Sequence, residues 1–181
     1  MFIKIRLAQI SDIPHISELI LLSARKLQAT YYSSAQIEGA LGTVFAVDSQ
    51  LIIDGTYFVA ESESGGQIVG CGGWSQRSTL FGGDNAKEDS QDFLLNPNED
   101  SARIRAFFVH PDWSRRGIGR GMMQACEAAA QRAGFNTFEL VATLAGEPLY
   151  AAFAYHAHSR FEISLPNGRS LPVVRMTKNL T

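Results

Sequence analysis

Residues 115–121 hold three arginines and three glycines within seven positions. Glycine lets the backbone approach a ligand closely and adopt positive φ. The first N–H groups of a helix, together with its positive dipole end, favour an anion, and arginine adds charge-assisted donors. Because an alanine-rich segment typical of a helix follows directly, this turn is predicted to bind phosphate groups.

Two common phosphate-binding loops do not match this turn. The Walker A pattern G-x-x-x-x-G-K-[ST] is absent from the sequence, which argues against an ATPase or GTPase. The turn also lacks the dinucleotide fingerprint G-x-G-x-x-G, and it lies too late in the chain to open an early βαβ unit. An ordinary glycine-containing turn with solvated arginines is the other interpretation.

Residues 106–123 resemble motif A of the GNAT superfamily of acyl-CoA-dependent N-acetyltransferases. In that family a strand ending in V-x-P precedes the loop [QR]-x-x-G-x-[GA], whose N–H groups bind the pyrophosphate of coenzyme A. This sequence has Val109, His110 and Pro111 at the end of a predicted strand, directly before the turn. The resemblance implies acetyl-CoA as cosubstrate, with its phosphates held by Ser114, Arg115, Arg116, Gly117, Ile118, Gly119, Arg120 and Gly121. It also implies that the pantetheine amides pair with the backbone of Phe107, Phe108 and Val109, as an added strand does.

The loop motif fits this sequence in two registers. If Gly117 and Gly119 take the glycine positions of the family, the Gln/Arg position falls on Ser114. If Gly119 and Gly121 take them, that position falls on Arg116. The first register is preferred, because it keeps the usual distance from Val109 and Pro111.

Residues 148–155 are similar to the family segment F-Y-x-x-x-G-F, which places Tyr150 where many members have a tyrosine near the thioester sulfur. Attack by an amine expels a thiolate, and a phenol within hydrogen-bond reach is suited to protonate it. The resemblance therefore implies that Tyr150 is the general acid, whereas a tyrosine in an apolar helix is otherwise a core residue. The family glycine after this helix is replaced by Ala154, and the family asparagine before it by Ala145.

The general base is not assigned to one residue, because the predicted strand 102–109 carries no carboxylate. Asp100, Asp84, His110 and His15 are the candidates, the acids acting through water. Strand alternation predicts Arg103, Arg105 and Phe107 on one face. The two arginines are then expected either to meet an acidic group of the substrate or to pair with local acids such as Glu99 and Asp100.

The composition indicates a single globular domain over residues 1–181. Net charge −2 and pI about 6.1 give no basic field for nucleic acid or an anionic membrane. No leader or apolar span is evident in the sequence, so a cytoplasmic location is expected. Cys71 and Cys126 lack metal-ligand spacing, and we predict that both are small core residues, with no metal site.

The order of predicted elements favours a mixed sheet of the α/β (α+β) class. The resemblance implies a mostly antiparallel central sheet flanked by helices, the GNAT-like acyl-CoA N-acyltransferase fold. The predicted elements are an edge strand at 2–8, a helix after Asp12, a capping box at Ser33 and Gln36, a hairpin over 56–74, a strand at 102–109, a helix at 122–133, a strand at 138–142, a short helix at 148–153 and a final hairpin turning at Asn167-Gly168. The last strand pair, ending at residues 173–176, is a possible homodimer contact.

The sequence therefore predicts an enzyme that moves an acetyl group from acetyl-CoA to a primary amine of a small molecule or peptide by direct attack. The alternative is a noncatalytic acyl-CoA-binding regulatory module. It is motivated by the missing strand carboxylate and by Ala154 and Ala145.

Overall fold

A computed structural model of the protein describes residues 2–86 and 92–180. Within this part, seven strands form one sheet in the order β1-β2-β3-β4-β5-β7-β6. The strands are β1 (Ile3–Leu7), β2 (Tyr57–Ser62), β3 (Ile68–Ser75), β4 (Ala102–Val109), β5 (Thr137–Thr143), β6 (His156–Ser164) and β7 (Ser170–Asn179). The helices are α1 (Ile13–Leu27), α2 (Ser34–Ala40), α3 (Ser49–Ile53), α4 (Ile118–Arg132) and α5 (Glu147–Ala152). Neighbouring strands are antiparallel except β4 and β5, which confirms the predicted mixed, mostly antiparallel sheet flanked by helices.

The helix starts predicted from capping residues are present. The Gln36 N–H donates to Ser33 Oγ at 3.2 Å, and the Ser33 N–H donates to Gln36 Oε1 at 2.9 Å, which is the expected capping box of α2. Before α1, the Asp12 carboxylate accepts from the Gln9 N–H at 2.8 Å and pairs with Arg6 at 2.7 Å. These bonds fix the residue at which each helix begins.

The two faces of the sheet have separate apolar clusters. On one face α1 and α2 pack over Val59, Cys71 and Phe108. On the other face α4 packs over the sheet, and a Cβ added at Gly70 would lie 2.6 Å from the Ile118 side chain. The glycines of β3 thus allow the close backbone approach predicted for them.

Three local features differ from the sequence prediction. The short helix α3, capped by Asp48, was not predicted. Helix α4 begins at Ile118 rather than at residue 122, because the glycines of the turn are accommodated in its first turn. Strand β7 pairs with β5 on one side and with β6 on the other, so the sheet edge belongs to β6. The free edge of the last strand pair is therefore that of β6 and not that of residues 173–176.

Candidate active site

An opening between β4 and β5 passes through the sheet. The two strands pair only at Ala102 with Phe138 and at Arg103 with Glu139. Beyond these pairs β5 continues alongside β7 for its whole length, whereas β4 remains with β3. The residues that line the resulting cleft, of about 210 Å³, come from four strands (β4 to β7), from α5, the start of α4 and the end of α1, and from the loops at 44–45, 80–82 and 145–146.

A bulge in β4 widens this opening. Ala106 has φ 54°, and the register between β3 and β4 shifts between Cys71 and Gly73. A bulge of this kind adds a residue to one strand and bends it. The Tyr57 hydroxyl donates to the Ala106 carbonyl at 2.8 Å and so holds the distorted backbone.

The bulge also changes which way the side chains of β4 point. Ile104 and Phe107 both pack with the α4 side of the sheet, and Phe108 packs with the α1 side. The prediction that Phe107 shares a face with Arg103 and Arg105 is therefore wrong, because the extra residue at Ala106 breaks the alternation. A Cβ at Gly72 would lie 2.7 Å from the Phe107 ring, so glycine there makes room for it.

The turn before α4 has the backbone form expected of an anion cradle. Arg115 has φ 62° and Gly117, the N-cap of α4, has φ 82°. The first turn of a helix leaves its N–H groups without partners inside the helix. Within the described residues, no side chain caps this end of α4. The N–H groups of Ile118, Gly119 and Arg120 are thus in position for an external acceptor.

The arginines of the turn lie on its exposed side. The Arg116 guanidinium lies 5.3 Å from the Trp113 ring, and that of Arg120 lies 5.6 Å from the Phe153 ring. A contact of this type holds the cation over the face of the ring. The cradle therefore combines backbone donors with a positive rim.

The two glycines inside α4 face different surroundings. Gly119 lines the cleft, and a Cβ there would lie 3.1 Å from the Leu149 side chain. A Cβ at Gly121 would instead lie 3.0 Å from Ile5 of β1. Gly119 keeps the mouth of the cleft open, whereas Gly121 lets α4 pack on the sheet.

Tyr150 of α5 lies against the opposite wall of the cleft. It is 8% exposed, and its ring meets those of Phe107 and Tyr155 edge-on at 6.2 Å. No group in the described chain hydrogen-bonds to its hydroxyl. Burial raises the pKa of Tyr150 above the ordinary value, so the phenol keeps its proton at neutral pH.

The loop that leads from β5 into α5 is fixed by Tyr32. The Tyr32 hydroxyl accepts from the Leu144 N–H at 3.0 Å and donates to the Pro172 carbonyl at 2.6 Å. Ala145 follows in the cleft lining, and Ala154, after α5, has φ 64°. Ala154 thus holds a left-handed conformation, which glycine adopts more readily than alanine.

The predicted candidates for the general base lie outside this cleft. Asp84 accepts from the Ser49 N–H at 3.0 Å, and Asp100 accepts from the Asn96 N–H at 2.8 Å. His110 accepts from the Asp112 N–H at 3.2 Å and lines a separate groove with His15. None of these four contributes to the cleft lining in the described part of the chain.

The two arginines of β4 form ion pairs within the protein. Their partners differ from the expected Glu99 and Asp100. Arg103 pairs with Glu139, which also contacts Arg175. Arg105 pairs with Asp48 at 3.0 Å, and both side chains are 2% exposed. Arg105 also donates to the Gly82 carbonyl at 2.6 Å and to the Thr79 carbonyl at 3.1 Å. Arg105 therefore holds the 79–82 loop against the cleft. Its partners are distant in the sequence, so the sequence alone did not indicate this role.

Both cysteines are buried and unbridged, as the core prediction requires. Burial raises the pKa of Cys71 to about 12 and also raises the pKa of Cys126. Over residues 2–86 and 92–180, no group of His, Cys, Asp and Glu has the arrangement of a metal site. The same residues contain no helix long and apolar enough to cross a bilayer.

Comparison with solved structures identifies the fold. A GCN5-related N-acetyltransferase from Rhodopseudomonas palustris superposes with a TM-score of 0.71 at 22% identity, with 99% of each chain covered. The PaiA N-acetyltransferase of Thermoplasma acidophilum, in complex with coenzyme A, gives a TM-score of 0.65 at 14% identity over 99% of each chain. The structure of YncA of Salmonella typhimurium, with its cofactor acetyl-CoA, gives a TM-score of 0.63 at 16% identity. The match covers 99% of this chain and 94% of the other.

Comparison by sequence identifies the family. No curated protein matches the chain. The family model of the acetyltransferase (GNAT) domain matches residues 54–157, which include β2 to β5, the cradle and α5. That span is more than half of the chain. It includes β4, β5, α5 and the start of α4, which line the opening on the side of the sheet that α4 covers. The chain therefore belongs to the GNAT acetyltransferase family and is an acyltransferase.

Proposed function

We propose that this protein transfers an acetyl group from acetyl-CoA to a primary amine of a small molecule or peptide. The observation that carries the proposal is the opening between β4 and β5, with donors at the start of α4 on one side and the Tyr150 hydroxyl on the other. The proposal treats residues 1–181 as one catalytic domain. A cytoplasmic location and a homodimer remain predictions from the sequence.

The cradle fits the coenzyme in three respects. It has N–H donors at a helix start, a rim of Arg115, Arg116 and Arg120, and a glycine whose Cβ would narrow the cleft. We assign the phosphate contacts to residues 114–121. The register that uses Gly117 and Gly119 is supported by Gly117, which is the N-cap of α4 with φ 82°, whereas Gly121 packs on Ile5. The residue at the Gln/Arg position is then Ser114.

The bulged end of β4 is suited to bind the pantetheine arm. Phe107, Phe108 and Val109 line the cleft on the side from which β5 has diverged. A strand edge left without its neighbour presents N–H and C=O groups that an extended chain with amides can bond. We assign the pantetheine contacts to this backbone.

Tyr150 is proposed as the general acid. Bound acetyl-CoA supplies a thioester, whose C–S bond breaks as the C–N bond to the amine forms. Tyr150 donates its proton to the departing sulfur and regains one from solvent, while the amine nitrogen loses a proton to water. The raised pKa of Tyr150 keeps the donor protonated at the start of each turnover.

The test is a transfer assay with purified protein, acetyl-CoA and a panel of primary amines, in which released thiol and acetylated product are both measured. The proposal predicts one thiol released for each amine acetylated. Tight acetyl-CoA binding with no acetylation of any amine would instead support the noncatalytic acyl-CoA-binding module.

A further inference from the structure

The cleft continues from Tyr150 through the sheet to the side covered by α1. On that side its wall is apolar and comes from α1, from the 43–45 and 79–82 loops and from β6. The lining residues used here are Leu27, Val44, Phe45, Leu80, Phe81 and Ile163, which we call the far wall. Phe45 packs edge-on against Phe108 at 6.0 Å, so the far wall joins directly onto β4.

The charge of this chamber is already balanced within the protein. In the described residues that line the cleft, the only ionic side chain is Arg105, and it is paired with Asp48. No carboxylate is present in that lining to receive an ammonium group on the acceptor. The far wall continues into a neighbouring groove that contains Asp92 and Glu162. A second charge held within the cleft itself would lose its water without gaining a partner, which is strongly unfavourable.

Two polar side chains, Ser23 and Gln28, interrupt the far wall where α1 lines it. Gln28, the C-cap of α1, is 8% exposed and lines the cleft. Its Oε1 is buried and has no hydrogen-bond partner in the described chain. Its backbone carbonyl accepts from the N–H groups of Tyr31 and Tyr32 at 3.0 Å, which fixes its position. A buried amide oxygen without a partner in the protein is available to a ligand N–H.

We infer that the acceptor is a primary amine that carries an uncharged aromatic or alkyl group, and that Gln28 accepts a hydrogen bond from the N–H of this amine. The apolar group packs on the far wall and brings the amine through the opening toward Tyr150. Because the cleft lining offers no carboxylate, the amine enters in its neutral form. This inference rests on the proposed function and specifies its substrate class.

The experiment compares matched acceptors with the full chain and acetyl-CoA. Hexylamine and 1,6-diaminohexane have the same six-carbon chain and differ in one ammonium group at the far carbon, and phenethylamine adds an aromatic ring. We expect kcat/KM for hexylamine and phenethylamine to exceed that for the diamine by about 100-fold. Equal turnover of the diamine overturns the inference and leaves the proposed function intact. Failure of all three amines, in a protein that binds acetyl-CoA and acetylates another amine of the panel, also overturns it. Loss of both transfer and acetyl-CoA binding rejects the proposed function.

Two variants test Gln28 itself. Gln28→Leu should lower kcat/KM for phenethylamine by about tenfold, mainly through KM, without changing the Kd for acetyl-CoA. Gln28→Glu should shift the preference toward the diamine, because it places a carboxylate in the wall. Gln124→Leu, an exposed position on α4, is the control and should leave both constants unchanged. If Gln28→Leu has the same unfolding temperature as the wild type and an unchanged KM for phenethylamine, then Gln28 does not bind the acceptor.

Discussion

The Tyr57 hydroxyl donates to the carbonyl of Ala106 at 2.8 Å, joining β2 to the bulge of β4 across β3. Ala106 has φ 54°, a conformation that a residue with a Cβ rarely adopts without support. The bond holds this backbone, and the bulge turns Phe107 toward Tyr150. The shape of the cleft thus depends on a hydroxyl outside it.

Tyr57→Phe should therefore lower the free energy of unfolding by about 1–2 kcal/mol, since the Ala106 carbonyl loses its partner. Urea unfolding measures this difference. Tyr155→Phe is the control, because the buried Tyr155 hydroxyl has no partner in the described chain, and its change should stay within about 0.5 kcal/mol. Equal stability of Tyr57→Phe and wild type would contradict the role given to this bond.

Tyr150→Phe should reduce acetyl transfer by about 100-fold and leave the Kd for acetyl-CoA unchanged, since only the proton donor is lost. Steady-state kinetics and calorimetry measure the two effects. Tyr155→Phe again serves as control, because its ring lies 6.2 Å from that of Tyr150 while its hydroxyl does not line the cleft. Unchanged transfer in Tyr150→Phe would remove Tyr150 from the chemistry.

The pH profile should show no alkaline loss from Tyr150 below about pH 10. Burial raises the pKa of this phenol in the folded protein, so the native state keeps a proton that the unfolded chain loses near pH 10. Its contribution to stability is complete below that pH and decreases as pH rises further. Accordingly, kcat/KM should rise with deprotonation of the acceptor amine and then level off. A decrease in kcat/KM centred near pH 8 in the wild type, absent in Tyr150→Phe, would contradict the raised pKa of Tyr150.

Ala154→Gly should raise the free energy of unfolding by about 0.5–1 kcal/mol. Ala154 has φ 64° and is exposed, so glycine relieves strain there without losing a contact. Ala151→Gly, an exposed position within α5, should instead lower stability by about the same amount. Thermal unfolding distinguishes the two, and a loss of stability in Ala154→Gly would disprove the strain.

The sequence predicted the elements that carry local signals. The cap at Ser33, the strand–turn–helix around residues 102–132 and the hairpin at Gly168 follow from capping, glycine placement and periodicity. The bulge at Ala106 could not be predicted, because Ala106, Phe107 and Phe108 are all apolar. A break in the alternation of side chains is therefore not visible in the hydrophobic pattern of the sequence. The partners of Arg103 and Arg105 were missed because Glu139 and Asp48 are distant in sequence. Gln28 carries no motif, and only the three-dimensional cleft reveals it.

Calorimetric titration of the purified protein with acetyl-CoA, with NADH as the control ligand, tests the central claim most directly. The account predicts micromolar binding of acetyl-CoA and none of NADH. It also predicts that Gly119→Glu abolishes binding, by adding bulk against Leu149 and a negative charge to the cradle, whereas Gly65→Glu, in an open hairpin, retains it. Absence of acetyl-CoA binding, or full affinity in Gly119→Glu, would contradict the cradle assigned to the start of α4.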